Sequence, residues 1–424
     1  MRFLSLILIL EIVLVFGALM FIHELGHFLF AKKAGILVRE FSLGLGPKLF
    51  SFKKGETQYS LRILPFGAFV RMAGEDPEIA DLKTGQKIGI KLNQKGRVTD
   101  IYLEKGNYDN KIKVDNFDLE HDLFIEGTTE NDIEVKYKLT RDALIHTDKK
   151  KKMQIAPWNR QFSSKSIKDR FATIIAGPVF NIFLAILLFI SIGVFFGVPG
   201  SSVIVTDIQE GTPADYADFQ VGDELLGIDD ITYESYNELL YEIRTSPEEE
   251  LNLRIERDGQ ISYIPVAPEK MEDGSGRIGI NTEHTWKDIP TTQAIKNGFN
   301  NSIEYTVLIF EGFGQLIAGK VGMDDVAGPV GIMTITGQAA QMGIPYLMNW
   351  AGILSLYLGI FNLLPVPALD GSRLMFLSLE AVRGKPVDPK KESMVHFIGF
   401  ALLMLLMVVV TINDISRIPE YLNK

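Results

Sequence analysis

Two histidines four residues apart, His23 and His27, enclose a glutamate, Glu24, in the string HELGH. On a helix, residues i and i+4 share one face, so both imidazoles can grip a single ion. Glu24 lies about 100° around that face. It is poorly placed as a ligand but close enough to take a proton from a water the ion activates. The string ends a run of about twenty apolar residues, where ionisable groups are costly and usually functional. A structural pair of interface histidines is the alternative.

A catalytic zinc site takes three protein ligands and keeps one position open. The chain has no cysteine, so the remaining donor is His, Asp or Glu. It has six histidines. His121, His146 and His284 fall in polar regions, and His396, at the start of a late apolar run, is the only histidine rival at a plausible depth. Asp370, in NLLPVPALDG, follows an apolar run broken by Pro365 and Pro367. Prolines free backbone carbonyls, which at membrane depth requires a buried or cavity-lining position. Asp370 is either the third ligand or the N-cap of the helix beginning GSRLMFL. Asn181, in AGPVFN, is an amide in an apolar run. It suits either oxyanion stabilisation or an interhelical hydrogen bond, and Gly177 allows another helix to approach closely.

These residues must be positioned by membrane elements. Of 424 residues, 46% are hydrophobic, and mean hydropathy is +0.13. Net charge is -10, which argues against nucleic acid as a partner. Four stretches are long enough to span a bilayer: 1–30, 171–198, 346–370 and 394–412. The first lacks a small-x-small cleavage site before His23 and reads as a retained span. Lys and Arg concentrate in 31–170 and 371–393, which places those segments in the cytoplasm and both termini, including the 413–424 tail, outside.

Residues 31–75 read as a membrane-associated β-hairpin or small sheet. Residues 76–170 read as a cytoplasmic β-rich insert with a basic linker, in which the Lys149–Lys152 run is a positive-inside anchor. Residues 199–270 alternate like strands around the tight turns of GTPADYADFQVGDELLGIDD, and 271–345 carries amphipathic helices. The expected fold class is thus an α-helical polytopic membrane protein with four transmembrane helices, a membrane-associated sheet, a cytoplasmic insert and one small extracytoplasmic domain.

In combination, HELGH, GPVFN and NLLPVPALDGSR resemble the site-2 protease family of intramembrane zinc metalloproteases, over roughly 1–75 and 155–412. The resemblance implies a zinc metalloendopeptidase of the bacterial cell membrane with one Zn2+, held by His23, His27 and Asp370, and Glu24 as base. Asn181 is similar in position to a residue that contacts substrate or stabilises the intermediate. Substrate contacts are implied at Asn362, Pro365, Phe66 and Gly67, with the 43–72 hairpin presenting substrate as an added strand. The 199–270 segment resembles the family's PDZ domain, and the insert resembles that of Gram-positive members which process anti-sigma factors. Implied substrates are single-span membrane proteins, such as anti-sigma factors or remnant signal peptides, first trimmed outside by a site-1-type protease.

Overall fold

The computed structural model describes residues 6–416 apart from 76–81, 105, 107, 109, 149–150, 234–235, 272–273, 321 and 323–326; the first half of the Lys149–Lys152 run and the start of the insert therefore lie outside the described residues. The chain divides into two compact units, one of Met1–Leu184, Gln315–Ile335 and Ile353–Lys424, the other of Ala185–Gly314 and Thr336–Gly352. Its α-helices are α1 (Leu6–Lys33), α2 (Ile167–Phe195), α3 (Pro213–Tyr216), α4 (Tyr236–Thr245), α5 (Thr291–Ile317), α6 (Pro329–Met342), α7 (Ile344–Leu363), α8 (Asp370–Arg383) and α9 (Pro389–Ser416).

Among the described residues, four helices are long and apolar enough to cross a membrane: α1, α2, α7 and α9. A helix satisfies its own backbone groups, which hydrocarbon cannot do for it. In α1, Leu6, Ile7, Leu10 and Leu14 are exposed, while Leu8, Ile12, Val15 and Leu19 form a buried stripe. Continued at helical spacing, that stripe reaches His23 and His27, which therefore face protein rather than lipid. In α9, Phe397, Leu402 and Leu405 are exposed in the same way.

After α1, the strands β1 (Val38–Lys54) and β2 (Thr57–Met72) form a two-stranded sheet that folds back on itself. Residue Leu43 pairs with Leu61 on one side and with Ala68 on the other. The last stretch of β2, 68–72, thus becomes an outer strand. The sheet exposes Leu45, Leu49, Phe50, Ile63 and Leu64, a surface suited to lipid.

The insert is a small barrel. Strands β3 (Lys87–Leu92), β4 (Val98–Tyr102), β5 (Asn110–Asp118), β6 (Phe124–Thr129) and β7 (Glu134–Asp148) pair in the order β4-β3-β5-β6-β7, and a parallel β4–β7 pairing closes the ring. Strand β8 (Lys151–Gln154) adds to β7. Val98, Ile101, Val114 and Ile125 are completely buried in its interior. Closure removes the free edges that a sheet of this size would otherwise present.

In the second unit, β9 (Val198–Ile208), β10 (Glu224–Ile228), β11 (Leu251–Arg257), β12 (Gln260–Val266) and β15 (Ile280–Lys287) form an antiparallel sheet ordered β12-β11-β10-β9-β15; a short ladder of β13 (Glu269–Lys270) and β14 (Gly276–Arg277) precedes its last strand. Val203, Leu225, Leu253 and Ile255 pack with Leu239 of α4 in its core. The segment 271–345, expected to carry amphipathic helices, does not begin as one. Its first part returns to the sheet as β15, a long-range pairing that local alternation does not reveal. Helix α5 follows, and its Ala294 and Gly298 meet Gly193 and Ile190 of α2. Its Ile295, Phe299, Ile303 and Val307 are exposed.

Helices α1 and α2 cross at backbone distance. A Cβ on Gly26 would lie 2.4 Å from the Ala176 carbonyl oxygen, whereas one on Gly17 would meet nothing within 4 Å. Gly26→Ala is expected to destabilise the protein by about 1–3 kcal/mol, because backbone cannot yield as a side chain can. Gly17→Ala is expected to be neutral or to stabilise by up to about 1 kcal/mol through helix propensity. Thermal unfolding of both variants in detergent checks this.

Candidate metal centre

Helix α1 delivers His23 and His27 to one face, one turn apart. Helix α2 supplies their supports. The Thr173 carbonyl accepts a hydrogen bond from His27 Nδ1 at 2.9 Å. A carbonyl can only accept, so Nδ1 carries the proton and the Nε2 lone pair is free. Gly177 makes room for that ring, since a Cβ there would lie 2.3 Å from His27 Nε2.

His23 Nδ1 lies 3.4 Å from the Asn181 side-chain nitrogen. The amide oxygen of Asn181 is buried without a partner. With His23 Nε2 turned toward an ion, Nδ1 holds the proton. A half-turn of the amide then puts the oxygen opposite it and satisfies both groups. Asn181 itself is fully buried, and its backbone carbonyl accepts a 2.7 Å hydrogen bond from Ser355 of α7.

Helix α7 ends at Leu363, and 364–369 carries no helical structure before α8 begins at Asp370. Leu369 is the N-cap of α8 and Asp370 its first residue, so the N-cap alternative is set aside. Its carboxylate turns instead to the two histidines. Asp370 Oδ2 is 3.2 Å from His23 Nε2 and 3.3 Å from His27 Nε2, and the two Nε2 atoms are 3.2 Å apart. This is the only such group of three His, Asp or Glu donors among the described residues. Helix α8 is held to α2 by the Arg170–Glu380 ion pair at 2.5 Å.

The donor set fits zinc. Two atoms each 2.0–2.1 Å from an ion, at a tetrahedral angle, lie about 3.3–3.4 Å apart. Here three potential ligand atoms stand at nearly that spacing. Asp370 Oδ2 is buried and has no hydrogen-bond partner. Convergent lone pairs of this kind repel one another unless a cation sits among them.

The three donors and Glu24 line a cleft of about 270 Å³, together with Phe69, Val70 and Met72 of β2. Asn362 also lines it, and its amide donates to the Leu358 carbonyl at 2.9 Å. Of the other residues named from the sequence, Asn181 stands behind His23 and is not among the lining residues. Pro365 is exposed outside the cleft. Gly67 donates its N–H to Met20 Sδ of α1 at 2.7 Å, and the Phe66 side chain lies outside the described residues. Two charged lining residues escaped the sequence reading, Glu75 and Arg373, which form an ion pair across 298 positions. Arg373 lies within the DGSR string, but nothing local marks Glu75 as its partner. His396 is not part of the donor group.

The site is that of a metallopeptidase with an HExxH helix and a distant aspartate. The model of Peptidase family M50 matches residues 11–406, and the chain belongs to that family of site-2 zinc metalloproteases. It is 46% identical over 412 residues to a protein named zinc metalloprotease RasP from Geobacillus kaustophilus, covering 96% of this chain and 98% of the relative. It is 39% identical over 416 residues to the regulator of sigma-W protease RasP from Bacillus subtilis, covering 97% and 98%. A further RasP zinc metalloprotease, from Oceanobacillus iheyensis, is 43% identical over 419 residues, covering 96% and 98%. The protein is therefore an intramembrane zinc metalloprotease, with zinc as its cofactor.

Replacing His23, His27 or Asp370 by Ala is expected to weaken zinc binding more than about a hundredfold. Asn181→Ala, which removes only the orienting group, is expected to cost about ten- to a hundredfold. Competition with a chelator, followed by metal analysis of the purified variants, distinguishes the two classes.

Proposed function

We propose that the protein hydrolyses a peptide bond inside the transmembrane segment of single-span membrane proteins already shortened outside by another protease, with anti-sigma factors as the substrate class. The observation that carries this reading is the convergence of His23, His27 and Asp370 on one cleft at the ends of apolar, membrane-length helices. The name of the Bacillus subtilis relative, a regulator of a sigma factor, supports the substrate class. Remnant signal peptides share the same chemistry.

In this reading, His23, His27 and Asp370 hold the ion. Bound zinc supplies a Lewis acid for the scissile carbonyl and eases deprotonation of water. Glu24 accepts the proton of the attacking water and returns it to the departing amine. Asn181 keeps His23 in the tautomer and orientation that the site needs, rather than touching the reacting carbonyl. A substrate helix shields its own carbonyls and must unwind. The outer strand 68–72, whose Phe69, Val70 and Met72 line the cleft, offers backbone to hold the unwound segment extended. Asn362 lines the same cleft and is positioned to contact that segment.

Both termini and the 198–287 domain face outside, with the barrel and the metal centre on the cytoplasmic side. The loop charges support this orientation. The strands and helices of 198–287, together with the GTPADYADFQVGDELLGIDD string, support a PDZ domain that restricts entry to trimmed substrates.

Purified wild-type protein is expected to cut a pre-trimmed single-span substrate within its span. Glu24→Gln is expected to retain zinc while its rate falls by about 10²–10⁴. Equal cleavage by both proteins would remove Glu24 from its role, and binding of several trimmed spans without turnover would remove the protease reading for these substrates. Since the chain has no cysteine, single cysteines report topology directly. An impermeant maleimide is expected to label Glu249→Cys in intact cells, and Lys95→Cys only after lysis.

A further inference from the structure

The turn that presents Asp370 is unusual in its backbone. Pro365 and Pro367 remove two N–H donors from it. Ala368, two residues before Asp370, has φ +75°, a left-handed conformation that a residue with a Cβ rarely adopts. Such a conformation persists only when its surroundings fix it.

Helix α9 does the fixing. The Ala368 N–H donates to His396 Nδ1 at 3.1 Å. The Ser372 hydroxyl lies 3.5 Å from the same nitrogen. One turn further on, Gly399 lets Pro367 approach so closely that a Cβ there would sit 2.1 Å from the proline ring. The imidazole packs edge-on against Phe376 of α8, with ring centroids 5.8 Å apart. Because Nδ1 accepts from a backbone N–H, the ring proton sits on Nε2, which is 3.8 Å from the Glu392 carboxylate.

We propose that His396 is a positioning residue for the metal centre: by accepting the Ala368 N–H, it holds the Pro365–Asp370 turn in the one conformation that aims the Asp370 carboxylate at His23 and His27. The inference rests on the reading of Asp370 as a ligand. It gives α9 a part in the site although α9 contributes no ligand, and it explains a histidine that otherwise looks like a spare metal donor.

The test uses the full-length protein in detergent and measures zinc dissociation into excess chelator, the metal-free protein's thermal unfolding, and cleavage of a trimmed single-span substrate. His396→Leu removes the acceptor. His396→Asn keeps an acceptor oxygen at the place of Nδ1, and His396→Gln moves it outward to the place of Nε2. His396→Leu and His396→Gln are expected to bind zinc about ten- to a hundredfold more weakly, and His396→Asn to stay within about threefold of wild type. A residue that merely fills space would lower the unfolding temperature of all three without this ordering. Equal zinc affinity in the Asn and Gln variants overturns the proposal, and that comparison stands even if the Leu variant does not fold. Asp370→Ala runs beside them. If it keeps zinc like wild type, the ligand reading itself has failed. If it loses zinc while His396→Gln does not, only the role of His396 has failed.

Discussion

Two imidazole nitrogens and a carboxylate oxygen held 3.2–3.3 Å apart are the constraint on which the rest of this structure depends. Left to themselves, two imidazole lone pairs and a carboxylate oxygen would rotate away from one another. They converge because each is held from behind. The Thr173 carbonyl fixes His27, the Asn181 amide faces His23, and the Ala368 turn fixes Asp370. The first two supports come from α2, and the Ala368 turn is in turn bonded to His396 of α9, so the cost of assembling the cluster is spread over several helices.

Hydrolytic chemistry in a membrane-spanning chain needs polar groups where apolar ones are cheaper. The chain places prolines and a non-helical turn close to the cleft. Pro178 sits within α2 close to the α1 crossing, and Pro365 and Pro367 end α7 just before Asp370. Gly26 lets the α1 and α2 backbones meet at a distance no side chain would allow, and Gly177 makes room for the His27 ring. Elsewhere the helices are conventional, with apolar exposed faces and small or aliphatic buried stripes. The Glu75–Arg373 ion pair at the cleft joins the end of the sheet to α8. Two ends of the site that are remote in sequence thus share one boundary.

The separation between what was legible and what was not follows the range of the interactions. HELGH is legible because its chemistry is contained in one helical turn. The four apolar stretches are legible because bilayer thickness sets a length that composition alone can meet. Asp370 was not decided by its own surroundings, where capping a helix and binding an ion demand the same residue. Asn181 carried a similar ambiguity, and its burial behind His23 favours support over contact with the reacting carbonyl. Strand β15 was missed because its partner, β9, lies some seventy to ninety residues earlier, and closure of the insert into a barrel depends likewise on the β4–β7 pairing.

The sequence by itself determined that this chain crosses membranes, that it carries an HExxH helix with a distant aspartate, and that zinc hydrolysis is the chemistry its residues share with a family of proteases. Those features are local strings or bulk lengths, and they survive without knowledge of contacts. Only the tertiary structure decided which aspartate oxygen faces the histidines, which carbonyl sets a tautomer, and that a histidine on the last helix bonds to the turn and lies outside the donor group. The physical reason is that a hydrogen bond or a ligand geometry is fixed within a few tenths of an ångström, while spacing in sequence fixes distance only along one element.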